Sequence, residues 1–194
     1  MVKLNKIYTR SGDKGTTVLG TGERIPKYEL RIQSYGTVDE TNSTIGVARQ
    51  HLDGDDDGYL DKIFERIQND LFDLGADLCT PDRGEKLEYE PLRVTQSQVD
   101  WLEAKIDEMN ADLSALTSFV LPGGSAASAA LHVSRTVCRR AESIIVELSV
   151  QENEPVSEPV IKYMNRLSDL LFVAARYANN KGKSDVLWVP GKNR

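Results

Sequence analysis

Three charged residues, Arg135, Arg139 and Glu142, share one narrow stripe of a stretch that is otherwise largely apolar. Spacings of four and three residues put them on the same side of a helix. Because burying an unpaired charge is costly, such a stripe must meet either oppositely charged groups or a charged ligand. Arginine suits a phosphate or carboxylate ligand, since its guanidinium donates two parallel hydrogen bonds. An ion pair between helices or at a subunit contact is the alternative, and both interpretations stay open.

A polar, glycine-rich segment near the N-terminus is a second candidate for phosphate binding. Residues 9–17 (TRSGDKGTT) place two glycines around Lys14. Their backbone N–H groups and the lysine could contact a phosphate chain. The spacing is not that of a Walker A loop. Lys27, further along the same segment, is another candidate. Taken alone, the segment is more typical of an exposed polar loop.

The histidines and cysteines exclude several kinds of catalytic site. The chain has only His51 and His132. Neither follows a glutamate by three residues, as in di-iron bundles, and neither belongs to a Ser/His/Asp or Cys/His arrangement. We therefore interpret both as packing or surface residues. Cys79 and Cys138 form no disulfide or metal motif and are predicted to be buried free thiols. An enzyme built from this chain must work mainly by binding, positioning and electrostatics.

An acidic segment, residues 53–58 (DGDDDG), resembles the first half of a calcium-binding loop. The glutamate that closes such a loop should stand at position 64, where the chain has Phe64. We therefore predict an acidic surface turn there and no calcium site.

Hydrophobic periodicity predicts five helices, at about 34–52, 59–79, 96–113, 126–149 and 155–180. Thr95 and Ser125 are the expected N-caps of the third and fourth. Residues 1–33 are predicted to form an irregular arm with a short β-like run at 7–9. The core face predicted for the fourth helix comprises Ala126, Ala130, Val133, Val137, Ala141, Ile144 and Leu148. In the fifth helix, a stripe opposite the core is predicted from Asn165, Asp169, Phe172 and Arg176.

The length and net charge of the chain indicate its number of domains and its broad class. The chain has 194 residues, 40% of them hydrophobic, and a net charge of −6. These values predict one globular domain and argue against general nucleic-acid binding. The sequence contains no apolar run near 18 residues and no signal-peptide pattern at its start, so we expect a cytoplasmic protein with no membrane association. Within the single domain we distinguish an arm (1–33), a helical bundle (34–182) and a tail (183–194).

Taken together and in order, the motifs resemble those of the PduO-type ATP:corrinoid (cob(I)alamin) adenosyltransferases. The matching pieces are residues 8–15 (YTRSGDKG), 21–27 (TGERIPK), 35–40 (YGTVDE), 119–124 (FVLPGG), 134–142 (SRTVCRRAE) and 164–169 (MNRLSD). The resemblance implies an all-α, five-helix bundle of the ferritin-like up-and-down type. It also implies a homotrimer with an active site at each subunit contact. In that reaction the Co(I) of a reduced corrinoid attacks C5′ of ATP, triphosphate leaves, and adenosylcobalamin is the product.

The resemblance also implies roles for individual residues. Phosphate contacts are expected from Thr9, Arg10, Ser11, Gly12, Lys14, Lys27, Arg139 and Arg140. Glu142 would hold Mg²⁺, directly or through water, and Asn165 would bind the nucleoside. Asp39 and Arg135 would link neighbouring subunits beside the corrin pocket. Phe119 would lie beneath the corrin ring and keep the lower base off the cobalt. The departures from the family pattern are Arg10 and Ser11, where Lys and Thr or Asn are common.

Two other kinds of function remain as alternatives at this point. One is a non-catalytic helical bundle that senses ATP, and the other is a purely structural oligomer whose Arg135–Asp39 pair is only an ion bridge. An aromatic platform such as Phe119 and a complete phosphate-binding arm argue against both. A cobalamin reductase is a further expected partner of an adenosyltransferase. The residues after Gly182 match no motif.

Overall fold

The computed structural model describes residues 7–52, 58–84 and 86–194. Its helices are α1 (Leu30–Arg49), α2 (Tyr59–Cys79), α3 (Gln96–Asn110), α4 (Ala126–Ser149) and α5 (Glu158–Tyr177). Two three-residue strands, β1 (Thr16–Val18) and β2 (Arg24–Pro26), precede α1 in the chain and pair antiparallel with each other. The five-helix bundle predicted from the sequence is confirmed. The acidic segment predicted as a surface turn lies, except for Gly58, outside the described residues.

Helix α4 occupies the centre of the bundle, packed between α1 and α5. Helix α2 packs on the outer side of α1, and α3 packs on α5. Two ion pairs show that α1 and α4 are antiparallel. Arg140 of α4 pairs with Glu40 in the middle of α1. Arg31, at the start of α1, pairs with Glu154, beyond the end of α4. In the described part of the chain, no helix is long and apolar enough to cross a membrane.

Both predicted N-caps are confirmed by hydrogen bonds. The Ser125 hydroxyl accepts from the backbone N–H of Ser128 at 3.1 Å. Thr95 and Gln98 form a reciprocal capping box, which satisfies two of the N–H groups left unpaired at a helix start. The start predicted for the first helix is wrong by four residues, since α1 begins at Leu30. The β-like run predicted at residues 7–9 is also wrong, because the strands lie further along the arm.

The core face predicted for α4 is partly wrong, since Ala126 and Val133 are exposed. The buried row is instead Ala127, Leu131, Ser134, Cys138, Ala141, Ile145 and Leu148. These residues alternate spacings of four and three, the repeat of a helix that packs along its whole length against neighbours. Ser134 is tolerated there because its hydroxyl donates to the backbone carbonyl of Ala130, one turn earlier, at 3.1 Å.

The tail beyond α5 is held by a buried ion pair. Arg176, predicted to lie on a stripe opposite the core, is buried and donates to Asp185 at 2.8 Å. It also donates to the carbonyl of Ser114 at 2.9 Å, and Asn179 donates to the second oxygen of Asp185 at 2.9 Å. The prediction for Arg176 is wrong because its partner belongs to the tail, which the helical pattern does not include.

We expect Asp185→Ala to lower the free energy of unfolding by about 3 kcal/mol, because it leaves the Arg176 guanidinium buried without its counter-charge. Urea unfolding followed by circular dichroism measures the loss. The double variant Arg176→Met with Asp185→Ala is the control and should lose less than the single variant, since it removes both charges. A loss below about 1 kcal/mol in Asp185→Ala would show that the pair does not hold the tail.

Candidate active site

Helices α4 and α5 bring together a carboxylate and an amide. The Asn165 side-chain N–H group donates to Glu142 Oε1 at 2.8 Å. On its other side, Asn165 Oδ1 accepts from Arg166 at 2.7 Å, and Arg166 in turn donates to Glu103 of α3 at 2.7 Å. Because both ends of the Asn165 amide are engaged, its orientation is fixed. Glu142 and Asn165, predicted separately from two motifs, are therefore neighbours.

The two arginines on the stripe of α4 have no ion-pair partner among the described residues of the chain. Arg139 is exposed and Arg135 is half-buried. Arg135 Nε is buried and has no hydrogen-bond partner there. Burial lowers the pKa of Arg135, and the nearby charge of Arg139 lowers it further. An ion pair between helices of one chain, the first alternative for this stripe, is thus not formed, which leaves an anionic ligand or a subunit contact.

Asp169 completes the charged group on α5, one turn after Asn165. Burial raises the pKa of Asp169, the charge of Arg166 lowers it, Glu142 raises it, and Arg139 lowers it. The sequence placed Asp169 on the correct stripe but assigned it no role in the site. Asp169 is therefore close enough to Glu142 and Arg139 for their charges to influence its pKa.

Arg140 belongs to α4 and Asp39 to α1. Arg140 pairs with Glu40 of α1, and both side chains are more than half exposed. Asp39, next to Glu40, is also exposed. Since exposed pairs of this kind are worth less than about 1 kcal/mol, Arg140 can exchange Glu40 for another anion. The structure does not join Arg140 to the Glu142–Asn165 pair, so its predicted phosphate contact stays a prediction.

The arm folds the candidate phosphate loop back onto its own hairpin. Arg24 of β2 donates to the carbonyl of Ser11 at 3.2 Å and to Thr16 Oγ1 at 3.0 Å. The hydroxyls of Thr9 and Ser11 are 2.8 Å apart. Arg10 has a φ of 61°, which is unusual for a residue with a side chain and occurs at binding loops. Sequence reasoning missed Arg24, although the turn at residues 20–22 (GTG) that places it opposite β1 was visible.

Gly12 and Lys27 touch across the same loop. A Cβ atom at position 12 would lie 2.8 Å from Lys27 Nζ. The absence of a side chain at Gly12 therefore lets the lysine ammonium approach the loop backbone. Two residues predicted as phosphate contacts from separate motifs are thus adjacent. Lys14 is exposed on the same loop.

Within one chain, the candidate site residues form two separate groups, one in the arm and one on α4 and α5. In the described structure, no hydrogen bond or ion pair joins residues 9–27 to α4. The arm instead contacts the bundle end near Cys79, where Gly20 N–H donates to the Cys79 carbonyl at 2.8 Å. Among the described residues, the arm and the Arg139 stripe are therefore not connected directly.

Phe119 lies in the segment before α4 and is 77% exposed. The tail supports it: Trp188 N–H donates to the Phe119 carbonyl at 2.7 Å, and the two rings are 6.0 Å apart. Val120 and Leu187 form a β-bridge beside them. Trp188 was not predicted as a site residue. No local sequence signal could have found it, because Ser118, whose hydroxyl donates to the Trp188 carbonyl, is 70 residues away.

The chain is similar to known proteins over nearly its whole length. The sequence profile of the cobalamin adenosyltransferase family matches residues 7–178. The chain belongs to the cobalamin adenosyltransferase family. It is 50% identical to the corrinoid adenosyltransferase of Mycobacterium leprae over 192 residues, which cover 98% of each chain. It is 41% identical to the human corrinoid adenosyltransferase over 182 residues, which cover 92% of this chain and 71% of the human one.

Solved structures of the family show the same fold. A variant of the PduO-type ATP:corrinoid adenosyltransferase from Lactobacillus reuteri, in complex with cobalamin and ATP, superimposes with a TM-score of 0.84 at 39% identity. The match covers 95% of this chain and 97% of the other. A second variant of that enzyme, in complex with ATP, gives a TM-score of 0.79. The resemblance stated from the motifs is confirmed, and the ATP-sensing bundle is not favoured.

This member of the adenosyltransferase family offers few ligands for a metal ion. Among the described residues, no group of three or more His, Cys, Asp or Glu side chains could hold one. The Glu142 carboxylate, held by Asn165, is a hard oxygen donor of the kind that Mg²⁺ prefers. Since protein-bound Mg²⁺ usually takes one or two carboxylates together with substrate phosphates, these residues fit Mg²⁺ that arrives with a nucleotide.

His132 is a packing residue, as predicted. It is buried, its ring lies 6.2 Å from that of Phe172, and its Nδ1 has no hydrogen-bond partner among the described residues. Burial lowers the pKa of His132 below its ordinary value of 6.5, the charge of Arg135 lowers it further, and Asp185 acts in the opposite direction. The folded protein therefore holds a neutral imidazole beside the arginine.

The depressed pKa predicts a loss of stability in acid. Below about pH 6.5 the unfolded state binds a proton at His132 that the folded state does not, so the free energy of unfolding falls as the pH is lowered. Urea unfolding at pH 7 and pH 5.5 measures this, and His132→Leu should show a smaller difference between the two. His51→Gln, at an exposed position, is the control and should behave as the wild type. Equal pH dependence in wild type and His132→Leu would contradict the assignment.

Proposed function

We propose that this chain transfers the 5′-deoxyadenosyl group of ATP to the Co(I) centre of a reduced corrinoid, giving adenosylcobalamin and triphosphate. The observation that carries the proposal is the exposed, unpaired Arg139 beside the Glu142–Asn165 pair, in a member of this family. The cobalt electron pair forms the Co–C5′ bond, and the C5′–O bond breaks with its electrons on the triphosphate. Because Co(I) needs no base to activate it, the chain's lack of a catalytic histidine arrangement fits this reaction.

The cations of the chain bind the leaving triphosphate. As the C–O bond breaks, negative charge grows on the bridging oxygen, and preorganised cationic donors stabilise it. Arg139 and Lys14 supply these donors, with Lys27 and Arg140 as further contacts. Thr9, Arg10, Ser11 and Gly12 wrap the phosphates, and Asn165 orients the nucleoside. Support comes from the closeness of Gly12 to Lys27 and from the left-handed backbone at Arg10.

Mg²⁺ is the proposed cofactor, held by Glu142 directly or through water. Bound there, it neutralises phosphate charge. Asn165 keeps the Glu142 carboxylate in place by its hydrogen bond of 2.8 Å. Hydrogen bonds of this kind commonly orient metal ligands.

Phe119 forms the face of the corrin site opposite the incoming adenosyl group. Its exposed ring occupies the lower side of the corrin and excludes the axial base from the cobalt. A cobalt without that donor is easier to reduce to Co(I), since donor ligands stabilise the higher oxidation state. When the corrinoid arrives as Co(II), a cobalamin reductase is the partner that supplies the electron, and we place the reaction in the cytoplasm.

A homotrimer completes the site. Arg135 Nε is buried and has no hydrogen-bond partner in the described part of the chain, and the exposed Asp39 of a neighbouring copy would supply a carboxylate. The same contact would bring the arm of one copy to the Arg139 stripe of the next, which the single chain does not do. Closed rings built from one repeated contact are a common form of homo-oligomer.

The reaction can be followed by its colour. The protein is mixed with ATP, MgCl₂ and chemically reduced cobalamin, and the visible spectrum is recorded over time, with a sample lacking ATP as the control. Conversion to the spectrum of adenosylcobalamin is the expected result. ATP binding without conversion would support the ATP-sensing bundle instead, and failure to bind ATP would support the structural oligomer.

A further inference from the structure

The arm is fastened to the bundle by a chain of four charged side chains, which we call the arm tether: Glu23, Arg83, Glu154 and Arg31. Arg83, between α2 and α3, donates to Glu23 of the hairpin at 2.6 Å and to Glu154 at 2.9 Å. It also donates to the carbonyl of Asn153 at 2.9 Å. One guanidinium thus joins the arm to the loop between α4 and α5.

Glu154 pairs both with Arg83 and with a buried arginine, Arg31. Its second carboxylate oxygen accepts from Arg31, whose side chain is 2% exposed. Arg31 also donates to the carbonyls of Leu78 at 2.8 Å and Pro155 at 3.0 Å. Each oxygen of Glu154 therefore has its own arginine, and the two carboxylates balance two guanidinium groups. A connected network of this kind is held more firmly than an isolated surface pair.

The hairpin needs such fastening because it is small. Each strand has three residues, and a two-stranded hairpin of that length is barely stable alone in water. Leu19 is buried, and the carbonyl of Gly20 accepts from the Tyr89 hydroxyl at 2.9 Å. Among the described residues, Glu23–Arg83 is the only ion pair that links residues 9–27 to the bundle.

The position of Glu23 governs the phosphate loop through its neighbours. Glu23 directly precedes Arg24, which holds the carbonyl of Ser11 and the hydroxyl of Thr16. Strand β2 then leads to Lys27, which lies against Gly12. Fixing the turn at Glu23 thus fixes both the arginine and the lysine that contact the loop.

We propose that Glu23 and Arg83 are positioning residues that hold the phosphate-binding arm in place for ATP. The proposal rests on the function proposed above for residues 9–14. Through Glu154, the tether also connects the arm to the end of α4, the helix that carries Arg139. Because neither residue reaches the reacting atoms, the tether affects ATP binding in the ground state and transition state alike, and so alters KM and not kcat.

Glu23→Gln tests the arm side of the tether while Arg83 keeps Glu154 and Asn153. We expect the KM for ATP to rise about two- to fivefold, the effect of losing one surface ion pair, with kcat and the KM for cobalamin unchanged. Arg83→Gln should raise the KM for ATP at least as much, and the double variant should be no worse than Arg83→Gln alone, because the two residues share one interaction. Hydrogen–deuterium exchange of residues 9–27 without ATP should be about two- to fivefold faster in Glu23→Gln.

Arg49→Gln is a matched control. Arg49 pairs with Asp61 with side chains 23% and 43% exposed, against 28% and 44% for Arg83 and Glu23, but it joins α1 to α2 and not to the arm. It should leave both the KM for ATP and the exchange of the arm unchanged. Unchanged exchange in Glu23→Gln, faster exchange without a change in the KM for ATP, or an equal rise in the KM for cobalamin would each overturn the proposal. Failure of the proposed function would show in the wild type itself, which would then form no adenosylcobalamin.

Discussion

Replacing Arg139 by alanine is expected to lower the kcat of adenosyl transfer by about 100- to 1000-fold, the usual effect of removing one preorganised donor from a developing anion. Arg139 is exposed and makes no ion pair among the described residues. Its loss should therefore leave the folded structure intact. Single-turnover rates with excess ATP and Co(I) cobalamin measure the chemical step, and thermal unfolding measures the fold.

Two further variants separate charge from geometry. Arg139→Lys keeps the charge but loses the planar fork, so its rate should lie between those of wild type and alanine variant. Lys162→Ala, which removes an exposed cation of α5 that pairs with Glu158, is the control for a general change in charge and should react at the wild-type rate. A normal rate in Arg139→Ala would remove Arg139 from the role proposed here.

Phe119→Ala is expected to slow the reaction at least tenfold more when Co(II) must be reduced on the protein than when free Co(I) is supplied, a difference of about 1.4 kcal/mol in the barrier. In the proposed function the ring excludes the axial base, and that exclusion would matter only while cobalt is being reduced. The two assays differ only in the oxidation state of the cobalamin that is added. Electron paramagnetic resonance of bound Co(II) reports directly on whether the axial base is coordinated.

Phe72 on α2 offers a matched control for this experiment. Its ring is 71% exposed, close to the 77% of Phe119, but it lies on a helix that carries none of the proposed site residues. Phe72→Ala should leave both assays and the resonance signal unchanged. Equal losses in the two assays of Phe119→Ala would contradict the axial-base argument and would indicate a general role in corrin binding.

The parts of the fold that follow from local rules were predictable from the sequence. Helix α2 and helix α4 begin and end at the predicted residues. Apolar periodicity runs through both, Ser125 caps the start of α4, and Pro81 follows the end of α2. The pairing of Glu142 with Asn165 was not predicted as a contact. Both residues were found because each lies in a motif, and helix packing then placed them together.

Features that depend on distant partners could not be predicted. Arg176 was placed on a polar stripe because its buried partner, Asp185, lies in a tail without periodicity. The hairpin was missed because its strands have only three residues each. Arg135 is a different case, since its buried Nε has no hydrogen-bond partner among the described residues, and the subunit contact that the motifs imply for it stays a prediction.

The support of Phe119 by the tail has a consequence for how the protein is made. Ser118 and Trp188 are 70 residues apart, and a ribosome adds roughly 5–20 residues per second. The segment before α4 therefore waits about 4 to 14 s during translation for the tail residues that bond to it. For most of that interval the nascent chain contains the arginines of α4 but lacks the indole neighbour of Phe119. All residues to which the proposed function assigns ATP contacts are thus synthesised before the tail residue that packs against Phe119.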